Sequence, residues 1–526
     1  MGMERTGKIY AIGEQSFPSL RDAGALYVDK TIYIYKLVSS KSKYYFLARP
    51  RRFGKSLFLS TLKSFFEGKR GLFKELYIDF TDWKWEKYPV LRLDLNKERY
   101  AEVNKLEDVL DKVFTQWEKK YSVDTIYTNY TQRFEAIIEA AHRITGKQVV
   151  ILVDEYDKPL VSNLNNEDNF RHYRAKLAAL YSNFKSCADH IRFVFLTGVS
   201  RFSKLSVFSD INNLRDISFE NEYADICGIS EKELKDNFSQ GIAELSEKNG
   251  WDYDETIKRL KENYDGYRFA ENGSDMYNPW SVLNAMEDEK IANYWNRTGL
   301  PTLIVESLKR IDTDLEQFLN TECTLNELMG LDLQSPRPVA LLYQTGYLTI
   351  KSYDPFLEEY TLGVPNKEVK EGLFSMLLPE YVKVTNQDSH VYINRFIKDL
   401  LYRRPEQFME RLRSFFAAIP YDMEMENERN FHNALYVFMT LLGMKVHAEL
   451  KISSGRIDIL CETDRYIYVI ELKYDGSAHK ALDQIEHKGY TIPFETDSRK
   501  VICIGASYSS KERRITDWLI KLSPSI

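Results

Sequence analysis

Apolar residues fall into two kinds of run along this chain. Over about the first 220 residues, short continuous apolar runs alternate with segments of helical period. Tyr44–Ala48 (YYFLA), Val149–Val153 (VVILV) and Ile191–Leu196 (IRFVFL) are continuous and rich in β-branched and aromatic residues. Such runs predict buried strands, and the helical segments between them predict a parallel sheet covered on both faces. Lys55–Phe66 (KSLFLSTLKSFF) carries Phe58, Leu62, Phe65 and Phe66 at helical spacing. From 221 to about 420 the pattern is mostly helical. Glu231–Leu245 puts Leu234, Phe238, Ile242 and Leu245 on one face and predicts a single helix. Within this stretch, Leu341–Val369 reads as a helix end, a β-hairpin and a new helix after Pro365, the order of a winged-helix-like module. From about 421 the order becomes helix, hairpin, helix, strand. Four blocks are expected, 1–220, 221–300, 301–415 and 416–526, with no Pro/Gly/Ser linker to mark their boundaries.

Charge and cysteine usage narrow the classes. The 526 residues carry a net charge of −6, so any nucleic-acid surface has to be local. The five cysteines are scattered without a C-x-x-C pair. This argues against a disulfide framework or a cysteine zinc site and fits a reducing cytoplasm. The N-terminus lacks an apolar signal-peptide core, and no apolar run is long enough to span a membrane. A cytoplasmic protein without membrane association is expected, with homo-oligomerisation left open.

The first candidate chemistry is the stretch RPRRFGKS, Arg49 to Ser56. Its end matches the phosphate-binding pattern G-x-x-x-x-G-K-[ST], but Arg49 stands where the first glycine belongs. A phosphate loop needs backbone N–H groups at a helix N-terminus, a lysine for the terminal phosphates and a hydroxyl for magnesium. The strand before and the helix after supply the first, and Lys55 and Ser56 the others. Arg51 and Arg52 add positive charge, and Phe53 and Gly54 complete the loop. Val149–Val153 runs into Asp154-Glu155, the Walker B arrangement. There Asp154 is expected to hold magnesium and Glu155 to orient or activate the attacking water. The third strand ends in Thr197, a polar residue placed to sense a γ-phosphate. Arg201 and Arg215 are read as ordinary salt-bridge residues rather than arginine fingers.

The second is near the C-terminus. Gly455–Leu460 (GRIDIL) and Tyr466–Lys473 (YIYVIELK) flank a polar turn. A hairpin with a four-residue turn at 463–466 sets Asp458 opposite Glu471, and Lys473 shares the Glu471 face. Two carboxylates suit one or two hard cations, magnesium or manganese, and the lysine suits phosphate chemistry. Glu428, opening a helix upstream, adds a candidate third carboxylate. Gln484, in a helical segment with Lys488 and Tyr490, is placed to close over the site. His432, His447, His479 and His487 show no metal spacing.

Together these segments resemble bacterial proteins with an AAA-ATPase-like N-terminal domain and a C-terminal PD-(D/E)XK nuclease-superfamily domain. The resemblance rests on Tyr27-Val28-Asp29-Lys30-Thr31, the loop Arg49–Ser56, Asp154-Glu155-Tyr156-Asp157-Lys158-Pro159, Thr197-Gly198, Tyr264-Asp265-Gly266-Tyr267, Tyr277-Asn278-Pro279-Trp280-Ser281, Leu341-Leu342-Tyr343-Gln344, Gly455-Arg456-Ile457-Asp458 and Glu471-Leu472-Lys473. It implies an α/β fold: a P-loop NTPase with a parallel sheet, a helical lid at 221–300, a winged-helix-like middle region and a C-terminal restriction-endonuclease-like α/β domain. It also implies that Tyr27–Lys30 begins a helix near the nucleotide. The nuclease pattern carries over onto Glu428, Asp458, Glu471, Lys473 and Gln484. The expectation is an ATP-binding hydrolase controlling a magnesium- or manganese-dependent nuclease that acts on DNA or RNA. The alternatives are a switch ATPase whose C-terminal domain binds nucleic acid or a partner without cutting, and a transcription regulator using the winged-helix-like segment.

Overall fold

The computed structural model describes residues 9–123, 127–164, 166–201, 207–208, 211, 213–295, 304–305, 308, 315–329, 338–381, 389–419, 428–441, 445–452 and 455–522. The chain divides into two compact units, 1–297 with 320–368, and 298–319 with 369–526. The block expected at 301–415 is thus shared between them.

The first unit is built on a parallel sheet of β1 (Tyr44–Ala48), β2 (Val90–Asp94), β3 (Val149–Asp154), β4 (Ile191–Gly198) and β5 (Arg215–Asp216), in the order β2-β3-β4-β1-β5. The central strands β1 and β3 are buried along their whole length, as continuous apolar runs require. The helix Lys55–Phe66 follows the loop after β1 and buries Phe58, Leu62, Phe65 and Phe66. Strands β2 and β5 have no clean signature, because Arg92 interrupts one and the other is two residues long.

Four helices follow, Glu231–Asn237, Ser239–Asn249, Tyr253–Tyr264 and Pro279–Asp288, with β6 (Ile229–Ser230) pairing antiparallel to β7 (Met276–Tyr277). The single helix expected over 231–245 is two. Phe238 leaves helical geometry (φ −114°, ψ 17°), and the Asn237 side chain donates to the Glu233 carbonyl. Leu234, Phe238, Ile242 and Leu245 still enter one core with Leu260 and Val282, so the periodicity survives the break. The helix expected near Tyr27–Lys30 begins at Thr31, with the Asp29 carboxylate accepting from the Thr31 N–H.

The unit closes with β8 (Glu322–Thr324), helices Leu325–Met329 and Pro338–Thr345, and the hairpin β9 (Thr349–Asp354) and β10 (Glu359–Gly363), in sheet order β8-β10-β9. This is the strand-helix-helix-hairpin order of a winged helix. Ala340 to Thr345 are all buried, so the helix before the hairpin does not present a free recognition face. The hairpin tip carries Asp354, Glu358 and Glu359 and no basic residue between them. Both facts weigh against DNA reading by this module.

In the second unit, β11 (Lys445–Ile452), β12 (Gly455–Glu462), β13 (Tyr466–Tyr474), β14 (Lys500–Ser509) and β15 (Arg514–Leu522) form a sheet in that order. Only β13 and β14 are parallel, joined through the helix Ala478–His487. That helix covers one face, packing Ile485 on Ile467 and Val469. Pro405–Ala417 and Glu428–Leu441 cover the other, where Phe416 and Phe431 meet Tyr508 at 5.4 and 4.3 Å between ring centroids. Gly505 lies beside Glu471 in the sheet. A Cβ there would sit 2.5 Å from both Ala478 O and Leu482 N, so glycine lets the helix come down onto the sheet next to Glu471.

Candidate functional site

The loop after β1 is held by the residue that breaks its motif. Arg49 is 2% exposed. Its guanidinium donates to the carbonyls of Ala48 (2.9 Å), Ser218 (2.8 Å), Tyr223 (3.0 Å) and Ala224 (3.3 Å) and lies 4.3 Å from the Phe269 ring centroid. Burial holds its pKa below the usual arginine value. Arg49 is therefore a structural clamp rather than a vacant glycine position. Beyond it the backbone takes left-handed conformations at Arg52 (φ 66°) and Gly54 (φ 93°), and Gly54 caps the helix that starts at Lys55. Left-handed turns at a helix N-terminus converge N–H groups into an anion-binding concavity.

The functional side chains meet there. Lys55 is buried, and its ammonium donates to the carbonyls of Arg49 (2.9 Å) and Pro50 (3.0 Å). Burial lowers its pKa, opposed by the charges of Glu155, Asp154 and Asp157. Asp154 accepts from the Thr197 hydroxyl at 2.9 Å and from Arg92 at 3.1 Å. Glu155 turns off the strand end with φ 50°, half-buried. Ser56 is half-buried at the second helical position. Acidic oxygens, a hydroxyl and a buried cation that now rests on loop carbonyls fit a magnesium-bound nucleotide.

The remaining loop residues serve different ends. The Phe53 side chain is buried against Tyr267 and Phe269, at 4.7 and 5.2 Å between ring centroids, so it anchors the loop and only its backbone is left for phosphate. Arg52 lies 3.5 Å from the Trp280 ring centroid, with Nη1 buried and unpaired. Arg51 is half-buried in the same turn. Arg201 pairs with Asp216, and Arg215 with Glu220, so both guanidiniums are engaged by acids.

Three residues of the quoted motifs, Asp157, Gly198 and Gln344, have roles that the sequence did not assign. Asp157 is buried, accepts from the N–H groups of Val199 (3.1 Å) and Ser200 (2.5 Å), and burial pushes its carboxyl up to about 6. Gly198 admits this packing, since a Cβ would lie 2.6 Å from the Tyr156 ring. Gln344 is buried and accepts from the Arg201 N–H at 2.9 Å while donating to Leu328 O at 2.9 Å. Nearby, Gly346 (φ 89°) packs on Pro50, where a Cβ would sit 2.8 Å from the proline ring. The winged-helix-like segment therefore touches both the phosphate loop and the end of β4. A polar residue closing the apolar stretch Val339–Tyr343 was the available signal for Gln344, whereas Asp157 lies three residues beyond the end of β3 and carries no such mark.

In the second unit, the β12–β13 pairing runs from Glu462↔Ile467 to Ile459↔Ile470, and Asp458 and Glu471 are the next residues on the two strands. The Asp458 carboxylate accepts from the Leu472 N–H at 2.8 Å, and the Lys473 ammonium lies 2.9 Å from Glu471 Oε1. Glu471 is 1% exposed, and its Oε2 is buried without a partner. Burial, then the Asp458 charge, push its carboxyl up to about 7, against the pull of Lys473. An orphaned buried carboxylate oxygen beside a second carboxylate is the donor set a hard divalent cation completes. Gln484 lies on the helix over this face, but its amide donates to the Tyr490 hydroxyl at 3.1 Å rather than to the trio. Glu428 opens the helix Glu428–Leu441, and its side chain lies outside the described residues. Among the described residues, no three His, Cys, Asp or Glu side chains form a ready metal cluster, so any metal here rests on the Asp458–Glu471 pair.

Two expectations follow. Arg49→Gly restores the consensus glycine but strips four carbonyls of their donor. Thermal or urea denaturation should show a loss of about 2–4 kcal/mol, with weaker nucleotide binding. Tighter binding at unchanged stability would contradict the clamp. Glu471 has a folded pKa above the ordinary carboxylate value, so its contribution favours folding at low pH and is lost as pH rises toward 7. Glu471→Gln in metal-free buffer should match wild type near pH 5 and exceed it at pH 8 by roughly 1–3 kcal/mol. An equal difference at both pH values would contradict the burial account.

The family described as predicted AAA-ATPase matches residues 11–208, which span the parallel sheet and its loop, and the PD-(D/E)XK nuclease superfamily matches residues 426–518. Among curated proteins, the chain is similar to one described as an uncharacterized protein in the vnfD 5' region of Azotobacter chroococcum mcd 1. The two are 34% identical over 97% of this chain and 98% of that protein. The likeness therefore runs through the helical and winged-helix-like segments that neither family covers. With a lysine loop at the end of β1 and an Asp-Glu-Lys trio on a central hairpin, the chain belongs to the predicted AAA-ATPase family that carries a PD-(D/E)XK nuclease-superfamily domain.

Proposed function

We propose that the protein is an ATP-controlled, metal-dependent phosphodiesterase that cuts DNA or RNA. The observation that carries this reading is the Asp458–Glu471–Lys473 trio, with Glu471 buried and one of its oxygens unpaired. Asp458 and Glu471 would hold magnesium or manganese, which when bound polarises the scissile phosphate and lowers the pKa of a water. Lys473 holds its ammonium on this surface, where it steadies an attacking water or the charge growing on the phosphate. Glu471 has to release its proton for the metal to enter, so metal binding tightens with pH.

In the first unit, nucleotide phosphates would draw Lys55 away from the carbonyls of Arg49 and Pro50. Ser56 and Asp154 would hold magnesium, Glu155 would orient water, and Thr197 would report the γ-phosphate through Asp154. Arg51 and Arg52 flank the phosphates. Gln344 and Gly346 tie the end of β4 and the loop to the winged-helix-like segment, a route by which the nucleotide state reaches the rest of the chain.

The test is cleavage of plasmid, single-stranded DNA and RNA by purified protein in manganese, with and without ATP, beside Lys473→Ala and Lys55→Ala. Loss of cutting by at least a hundredfold in Lys473→Ala, and loss of the ATP effect in Lys55→Ala, are expected. Cutting that survives Lys473→Ala sinks the phosphodiesterase reading. A wild type that binds ATP and cuts nothing leaves the switch ATPase in its place.

A further inference from the structure

An acidic chain that acts on nucleic acid needs a local basic surface. One such surface sits in the second unit, at the end of the helix Ser389–Leu401 and in the turn that follows. From Ile393 to Arg404 the exposed charged residues are Arg395, Lys398, Arg403 and Arg404, all cationic. The one acid there, Asp399, is buried and held by Arg411 at 2.5 Å, so it cancels nothing at the surface. Among these cations Tyr402 is 66% exposed and Leu401 43% exposed. The Arg404 guanidinium lies 5.7 Å from the Tyr402 ring centroid.

The turn is fixed by its backbone. Tyr402 N–H donates to Lys398 O, and Arg404 N–H donates to Asp399 O at 2.7 Å. Arg403 takes a left-handed φ of 55°, and Pro405 then opens the next helix. The surface is also tied to the candidate active strand: the Tyr468 hydroxyl on β13 donates to Leu400 O at 2.7 Å. Tyr468 points to the face of the sheet away from Ile467, Val469 and Glu471, so the surface and the Asp458–Glu471 pair share β13 but lie on its two sides.

We infer that Arg395, Lys398, Tyr402, Arg403 and Arg404 form a docking surface for single-stranded nucleic acid, resting on the reading that this unit acts on nucleic acid. Four cations track a phosphate backbone, and Glu406, the exposed acid that follows them in the chain, accepts from the Trp518 indole N–H at 2.7 Å. An exposed tyrosine face among arginines is a platform for an unpaired base, which a duplex does not offer. An acidic protein segment would use the cations but leave the tyrosine face idle.

The experiment is fluorescence anisotropy with labelled 20-nucleotide single-stranded DNA and RNA of one sequence, in calcium without manganese. The full chain carries Lys473→Ala in every arm, so binding is read apart from cutting. The double variant Arg403→Glu/Arg404→Glu should lose at least tenfold in affinity and flatten the salt dependence by about 1.4 in log–log slope. Tyr402→Ala should lose about tenfold with the salt slope unchanged. Arg403→Lys/Arg404→Lys should bind within about threefold of the parent, which separates charge from folding. Preference between the DNA and RNA probes assigns the strand type. The inference is overturned if the parent binds neither probe, if the charge reversal leaves binding unchanged, or if polyglutamate displaces both probes at equal charge. A parent that binds by this surface, while the unmutated chain cuts nothing in manganese, retains the surface and removes the phosphodiesterase reading.

Discussion

The first unit hangs on one buried guanidinium. Arg49 follows the inner strand β1 and ties the carbonyls of Ser218, Tyr223 and Ala224 to that strand's end. A buried cation is costly unless its donors are met, and here four carbonyls meet Nη1 and Nη2 and an aromatic face lies against the guanidinium, while Nε stays buried and unpaired. The arrangement fixes the segment after β5 against the loop, and with it Phe53, whose ring packs on Tyr267 and Phe269. A glycine would give the loop freedom but no such attachment. The departure from the usual phosphate-loop pattern is thus an exchange of backbone latitude for tertiary anchoring.

The motifs around the loop interlock in the same way. Ser281 of the Tyr277–Ser281 segment donates to the buried Glu368 carboxylate, which also accepts from the Trp295 N–H at 2.9 Å. Lys30 reaches Glu233 at 2.7 Å, joining the helix that starts at Thr31 to the capping box of the helix Glu231–Asn237. Gln344 and Gly346 bring the winged-helix-like segment onto the end of β4 and onto Pro50. A change in loop shape therefore has rigid neighbours to act on, which is the physical requirement for a nucleotide-dependent switch.

Much of this was legible in the residue order. Continuous apolar runs marked β1, β3 and β4, because a parallel sheet buries both faces of a strand. The β12–β13 register next to Asp458 and Glu471 was legible because turn length fixes hairpin register. Other features depend on tertiary context. Arg49 reads as a lost glycine until its carbonyl partners, about 170 residues away, are in place. Strand β2 hides behind Arg92, whose partner Asp154 comes from a neighbouring strand. The break at Phe238 left no mark in the periodicity, since both short helices feed one core. Gln484 was placed over the trio by its helix, but its amide turns to Tyr490. Among the described residues no helix is long and apolar enough to cross a membrane.

The central claim is that the Arg49–Ser56 loop is a working nucleotide site, with its missing glycine replaced by a structural arginine. The most direct measurement is calorimetric titration of the purified chain with magnesium-ATP, beside Lys55→Ala. Saturable one-site binding by wild type, weakened at least tenfold in the variant, is the expected result. Absence of binding by wild type, or equal binding by both proteins, would contradict the account.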